Sequence, residues 1–145
     1  RAAFFNPPLS RLRNGAILHA MQNIRLKRAY DPPEPADGRR FLVDRLWPRG
    51  VTKERLALDA WLKEVAPSPA LRKGYCHDPA RYDEFRRLYL AELRQGLVSG
   101  VADLARLAEA TREGVVTLVY AAKDEAISHA RVLGEFLETT MKGGA

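Results

Sequence analysis

Cysteine is almost missing: Cys76 is the single thiol in 145 residues. An internal disulfide and a cysteine-clustered zinc site are therefore excluded, and such usage suits a reducing cytoplasm, where the protein is expected to reside. No stretch approaches the roughly 20 apolar residues that cross a bilayer, so no membrane partner is expected. Also missing are a Gly-rich phosphate loop, a Gly-x-Ser-x-Gly elbow and a His-Glu-x-x-His helix, which removes several large enzyme classes. Potential metal ligands are not clustered, and the sequence calls for neither a metal nor another cofactor. Internal repeats, heptads and low-complexity tracts are lacking too.

Acid is missing from one region only. Residues 1–20 hold Arg1, Arg11 and Arg13 and no carboxylate, which leaves 21 basic and 18 acidic residues for the remainder of a chain with net charge +6. The remainder is thus only mildly basic. Residues 1–20 contain Asn6-Pro7-Pro8, show no apolar period and end just before Met21. They are expected to form an N-terminal extension, and 21–145 a single domain of ordinary size with one core.

Ile24 to Tyr30 alternates apolar and basic residues, which predicts a strand with one wet side. Asp31-Pro32-Pro33-Glu34-Pro35-Ala36-Asp37-Gly38 stops it, because three prolines cannot donate to a ladder and Asp-Gly favours a turn. Phe41 begins a short apolar strand that ends abruptly in Asp44-Arg45-Leu46-Trp47-Pro48-Arg49-Gly50. Thr52 is placed to cap a helical turn, Asp59 a second one with Trp61, Leu62 and Val65, and Ser68-Pro69 a third. From Asp78-Pro79, apolar Tyr82, Phe85, Leu88, Tyr89 and Leu93 recur at helical spacing to about Arg94, with Gly96 and Gly100 bracketing a break. A helix through Leu104 and Ala108 is expected to close at Gly114, followed by a strand buried on both faces at Val115–Tyr120. Asp124 would cap a last helix whose stripe includes Ile127, Ala130, Leu133, Phe136, Leu137 and Met141. This order predicts an α/β fold, a small and mostly parallel sheet flanked by helices.

Parallel strands would bring Arg45 and Arg49, at one strand end, and Lys123, at the other, to one edge, where open α/β sheets bind ligands. Arginine matches phosphate or carboxylate with a planar fork of donors, and Lys123 would sit beside a helix N-terminus. That reading is an anion pocket; in the alternative, Arg45 pairs with Asp44 or Asp124 and Arg49 faces water. Trp47 either packs against a ligand or anchors its loop. Asp44 is placed for a base or for orienting an arginine, and His77 for an anion contact, proton transfer or a backbone bond. His129, on the apolar side of the last helix, is either a base or a satisfied, part-buried histidine.

Val43-Asp44-Arg45-Leu46-Trp47-Pro48-Arg49-Gly50, with Tyr30-Asp31-Pro32-Pro33, Leu71-Arg72, His77-Asp78-Pro79-Ala80-Arg81, Leu118-Val119-Tyr120-Ala121-Ala122-Lys123-Asp124 and His129-Ala130, closely resembles the YeaO-like family, the domain of unknown function numbered 488. The resemblance runs from about residue 24 to 137. It implies a compact cytoplasmic α/β protein in which Asp44, Arg45, Trp47, Pro48, Arg49, Arg72, His77, Lys123, Asp124 and His129 make a polar site. The expected function is binding of a small phosphorylated or otherwise anionic ligand, a nucleotide included, with Arg45, Trp47, Arg49, Arg72, Lys123 and Asp124 at the ligand and Asp44, His77 and His129 as the candidates for catalysis. The alternatives are a nucleic-acid-associated module contacting phosphates through its helical arginines, and a structural or interaction protein.

Overall fold

A computed structural model describes residues 23–144. The expected extension over residues 1–20 lies outside them. Four strands form one sheet: β1 (Ile24–Arg28), β2 (Arg39–Leu42), β3 (Ala60–Trp61) and β4 (Val116–Tyr120). The order is β1-β4-β2-β3, and every neighbouring pair is parallel. The helices are α1 (Lys53–Leu56), α2 (Pro69–Tyr75), α3 (Tyr82–Ser99), α4 (Ala102–Glu113) and α5 (His129–Gly144). The single α/β domain expected from the sequence is the one observed.

The two-residue period of the strands divides the sheet into unlike faces. Phe41, Val116, Leu118 and Tyr120 point to one side and pack with Tyr89, Leu93, Leu104, Leu107, Leu133 and Leu137 of α3, α4 and α5. Leu42 and Val119 point to the other, where they meet Val51, Leu56 of α1, Trp47 and Trp61. The Pro-rich β1–β2 connection crosses this second face. Its Asp37 is fully buried, bonded to Lys27 Nζ at 3.1 Å and Arg40 Nη1 at 2.7 Å, and its backbone carbonyl accepts from Thr117 Oγ1 at 2.7 Å. A carboxylate can be buried here because cations of β1 and β2 surround it.

Three local expectations are corrected. Trp61 is not helical: Ala60–Trp61 is the edge strand β3, Lys63–Val65 is one 3-10 turn, and Asp59 accepts the Arg40 N–H instead of capping a helix. Leu62 N–H donates to Leu42 O at 2.9 Å and Asp59 N–H to Arg40 O at 2.8 Å, so this segment satisfies an edge of β2 that a helix would leave bare. Gly96 lies inside α3, where a β-carbon would touch Leu104 and Val101; only Gly100, at φ 82°, ends the helix. The strand of the central motif begins before Phe41, at Arg39, and ends at Leu42, although Val43 N–H still reaches Val119 O at 3.0 Å.

Candidate functional site

The carboxyl ends of β2 and β4 lie side by side, and the chain beyond β2 builds a cleft of about 720 Å³ between them and α2. Volumes of this size suit a small ligand. Asp44, Arg45, Trp47 and Arg49 line it from the loop after β2, Arg72 from α2, His77 from the turn after α2, and His129 from the start of α5. Seven of the nine residues singled out from the sequence thus meet. Lys123 and Asp124 do not line the cleft: both are exposed, and Asp124 accepts the Ala126 N–H to cap a 3-10 turn. At that end of β4 Ala121 and Ala122 form the wall. Arg28 donates to both of their carbonyls, at 3.1 and 2.9 Å, which holds this stretch in place.

Asp44 is the join between the two strand ends. Its Oδ2 accepts the Ala121 N–H at 2.9 Å and its backbone carbonyl accepts from Trp61 Nε1 at 2.7 Å. The Trp61 ring packs edge-on against Trp47 at 5.4 Å, and Trp47 Nε1 donates to Val51 O at 2.6 Å. Trp47 therefore fastens its own loop, and it contributes only part of its surface to the cleft.

Ser128 caps α5, accepting the Arg131 N–H at 3.3 Å, and its own hydroxyl donates to Glu125 O at 2.9 Å. This sets His129, the first residue of the helix, beneath the loop after β2. His129 Nε2 lies 3.0 Å from Val43 O and 3.2 Å from Asp44 Oδ1. The N–H is directed at the carbonyl, so Asp44 Oδ1 is near the imidazole yet has no hydrogen bond of its own. Burial pushes the Asp44 carboxyl up, against the opposing pull of His129, the Ala121 N–H and Arg72. Burial likewise pushes the His129 imidazole down, with His77 and Arg72 adding to the effect and Asp44 opposing it.

The cations of the cleft differ in what they already hold. Arg45 turns toward the 64–66 segment, with Nη2 3.4 Å from Ala66 O and Nη1 3.8 Å from Glu64, so in place of the alternative pairing with Asp44 or Asp124 it has one with Glu64. Arg49 and Arg72 are exposed and have no side-chain hydrogen bond or ion pair among the described residues. Sequence reasoning missed Lys73 and Tyr30, which also line the cleft. Lys73 adjoins Arg72 on α2; Tyr30 donates to Arg49 O at 3.2 Å while Arg28 lies over its ring, 5.1 Å from the centroid. An aromatic residue at the end of β1, on the same sheet edge as the motif, was the available signal for Tyr30.

A family model described as "Inactive DUF488-N3 subclade" matches residues 23–144. "Uncharacterized protein YeaO" of Escherichia coli is 48% identical over 117 residues, covering 81% of this chain and 98% of that protein. "Uncharacterized protein Rv3073c" of Mycobacterium tuberculosis is 44% identical over 114 residues, covering 79% and 92%. No solved structure matches the chain at a significant level. The chain belongs to the YeaO-like DUF488 family, in the group described as its inactive N3 subclade.

Proposed function

We propose that the cleft binds a small phosphorylated or otherwise anionic ligand, and that binding rather than turnover is the protein's activity. The observation that carries this reading is the pair Arg49 and Arg72: two guanidinium groups from different elements, free of partners among the described residues, lining one cleft. Arg28 is engaged with carbonyls, Arg40 with Asp37 and Arg86 with Glu135, and the other described arginines without such a bond, Arg55, Arg87, Arg94, Arg106 and Arg131, do not line the cleft. A free guanidinium pair favours an oxyanion, which it can grip with parallel charge-assisted hydrogen bonds. Lys73 adds positive charge to the same cleft. The family's description as inactive is consistent with a retained pocket that holds its ligand without transforming it.

The test is thermal unfolding of the full chain with inorganic phosphate, AMP, ribose 5-phosphate and short duplex DNA, at low and moderate salt. A ligand that binds only the folded state raises the midpoint in proportion to the logarithm of its excess over Kd. A salt-tolerant rise with a small phosphate, lost in Arg49→Ala and in Arg72→Ala while circular dichroism stays native, is the expected result. A rise with DNA alone that vanishes as salt increases would replace this reading with the nucleic-acid module, since each neutralised phosphate releases a counterion.

A further inference from the structure

The ligand's anionic group accounts for the arginines of the cleft and leaves His129 unexplained. The nearest atom facing Nε2, the Val43 carbonyl at 3.0 Å, can only accept a hydrogen bond, and Asp44 Oδ1 stands beside it at 3.2 Å. Nε2 must therefore carry the hydrogen, and in the neutral ring Nδ1 is a bare acceptor. No described residue donates to Nδ1, and the ring lines the cleft. The surroundings favour the neutral ring: burial disfavours its charge and outweighs Asp44 and the Val43 hydrogen bond, His77 and Arg72 add to burial, and the Tyr89 ring closes it edge-on at 6.2 Å. A basic cleft thus offers donors from Arg49, Arg72 and Lys73 and an acceptor from His129. A fully ionised oxyanion satisfies the donors and has no hydrogen to give the acceptor.

Building on the anion-binding reading, we infer that the ligand is a phosphate ester bearing a free hydroxyl group, which donates to His129 Nδ1 while the phosphate is held by Arg49 and Arg72. A sugar phosphate and the ribose of a nucleotide share this chemistry. His129 then sets specificity, admitting hydroxylated esters in preference to bare oxyanions.

Calorimetric titration of the full chain at about pH 8, where phosphate monoesters are fully ionised, with inorganic phosphate, methyl phosphate, ribose 5-phosphate and AMP tests it. The hydroxylated esters should bind about five- to tenfold more tightly than methyl phosphate, the value of one added hydrogen bond. Ribose 5-phosphate equal to AMP assigns the recognition to the sugar; AMP alone gaining assigns it to the nucleotide. His129→Gln keeps a donor for Val43 O at the Nε2 position and removes the Nδ1 acceptor, so it should erase the preference while methyl phosphate still binds. His129→Asn restores an acceptor near Nδ1 and should recover part of it. Equal affinity for methyl phosphate and both hydroxylated esters, or a preference that survives in His129→Gln, overturns the inference and leaves anion binding standing. Failure of every phosphate to bind overturns both.

Discussion

Trp61 shows how one indole can hold a cleft together without lining it. Its Nε1 donates to the Asp44 carbonyl, its ring supports Trp47, and Lys63 Nζ lies 4.3 Å from its centroid on the outer side. Replacing it with phenylalanine keeps most of the packing and leaves the Asp44 carbonyl without a donor. Trp61→Phe should lower unfolding free energy by about 1–2 kcal/mol in urea titrations, with an unchanged denaturant slope. Because the same carbonyl belongs to the residue joining β2 to β4, binding of a phosphate ester should weaken as well. A variant with wild-type stability would show that the indole N–H finds equal bonding in water, and that Asp44 is held by Ala121 alone.

At the level of elements, the β1–β2 connection is the least forgiving piece of backbone. Gly38 has φ 62° and ψ −132°, and a β-carbon there would collide with the Val115 carbonyl at the start of β4. Gly50 also has a positive φ, 79°, but nothing lies within 4 Å of where its β-carbon would be. Gly38→Ala should therefore cost clearly more than Gly50→Ala, which carries only the backbone penalty of about 1 kcal/mol. Thermal midpoints of the two variants, measured side by side, check the difference, and equal midpoints would contradict the close approach at Val115.

The same scale shows what the sequence could convey. Periodicity located β1 and β4, and Ser68-Pro69 marked α2, because a capping oxygen and proline at the first helical position act locally: Ser68 Oγ does accept the Leu71 N–H. The Asp44–Arg49 motif pointed to the cleft since it ends a strand in residues that neither pack nor repeat. Trp61 was misread because apolar residues flanked by an aspartate resemble a capped helix; the edge of β2 decided otherwise, and that edge is invisible in local sequence. Lys123 was misplaced for a similar reason. Sharing a sheet edge does not make a side chain point inward, and at the end of β4 it is Ala121 and Ala122 that line the cleft. The tautomer of His129 depends on Val43, 86 residues distant in sequence, and only the fold supplies that neighbour.

For the molecule as a whole, acid should be the effective denaturant. Burial pushes the Asp37 carboxyl up, but the Glu34 N–H, Lys27 and Arg40 outweigh it and hold the carboxyl below its usual value. A carboxyl lowered on folding adds stability that is fully present above the unfolded value of about 3.9 and is lost as pH falls from there through the lower folded value. Asp37→Asn should flatten the acid limb of a stability–pH curve. It should also cost about 3 kcal/mol or more at neutral pH, because Arg40 is left buried with its charge uncompensated. At the alkaline end, burial and Glu125 push the Tyr120 phenol up to about 12, so stability should decline as pH rises from about 10 through that value, and less so in Tyr120→Phe.

The strand order has a consequence for how the chain comes to exist. β1 and β2 are early in the sequence and never touch as a ladder; each pairs with β4, and Ile24 finds its partner at Val116. A nascent chain emerging from the ribosome therefore carries strands with no central partner until Val116–Tyr120 has been made. Closing so long a loop is entropically costly, and sheets of this kind form slowly. Through that interval the apolar sides of Ile24–Arg28 and Arg39–Leu42 are open to other chains, until β4 and α5, which come later in the chain, pack against them.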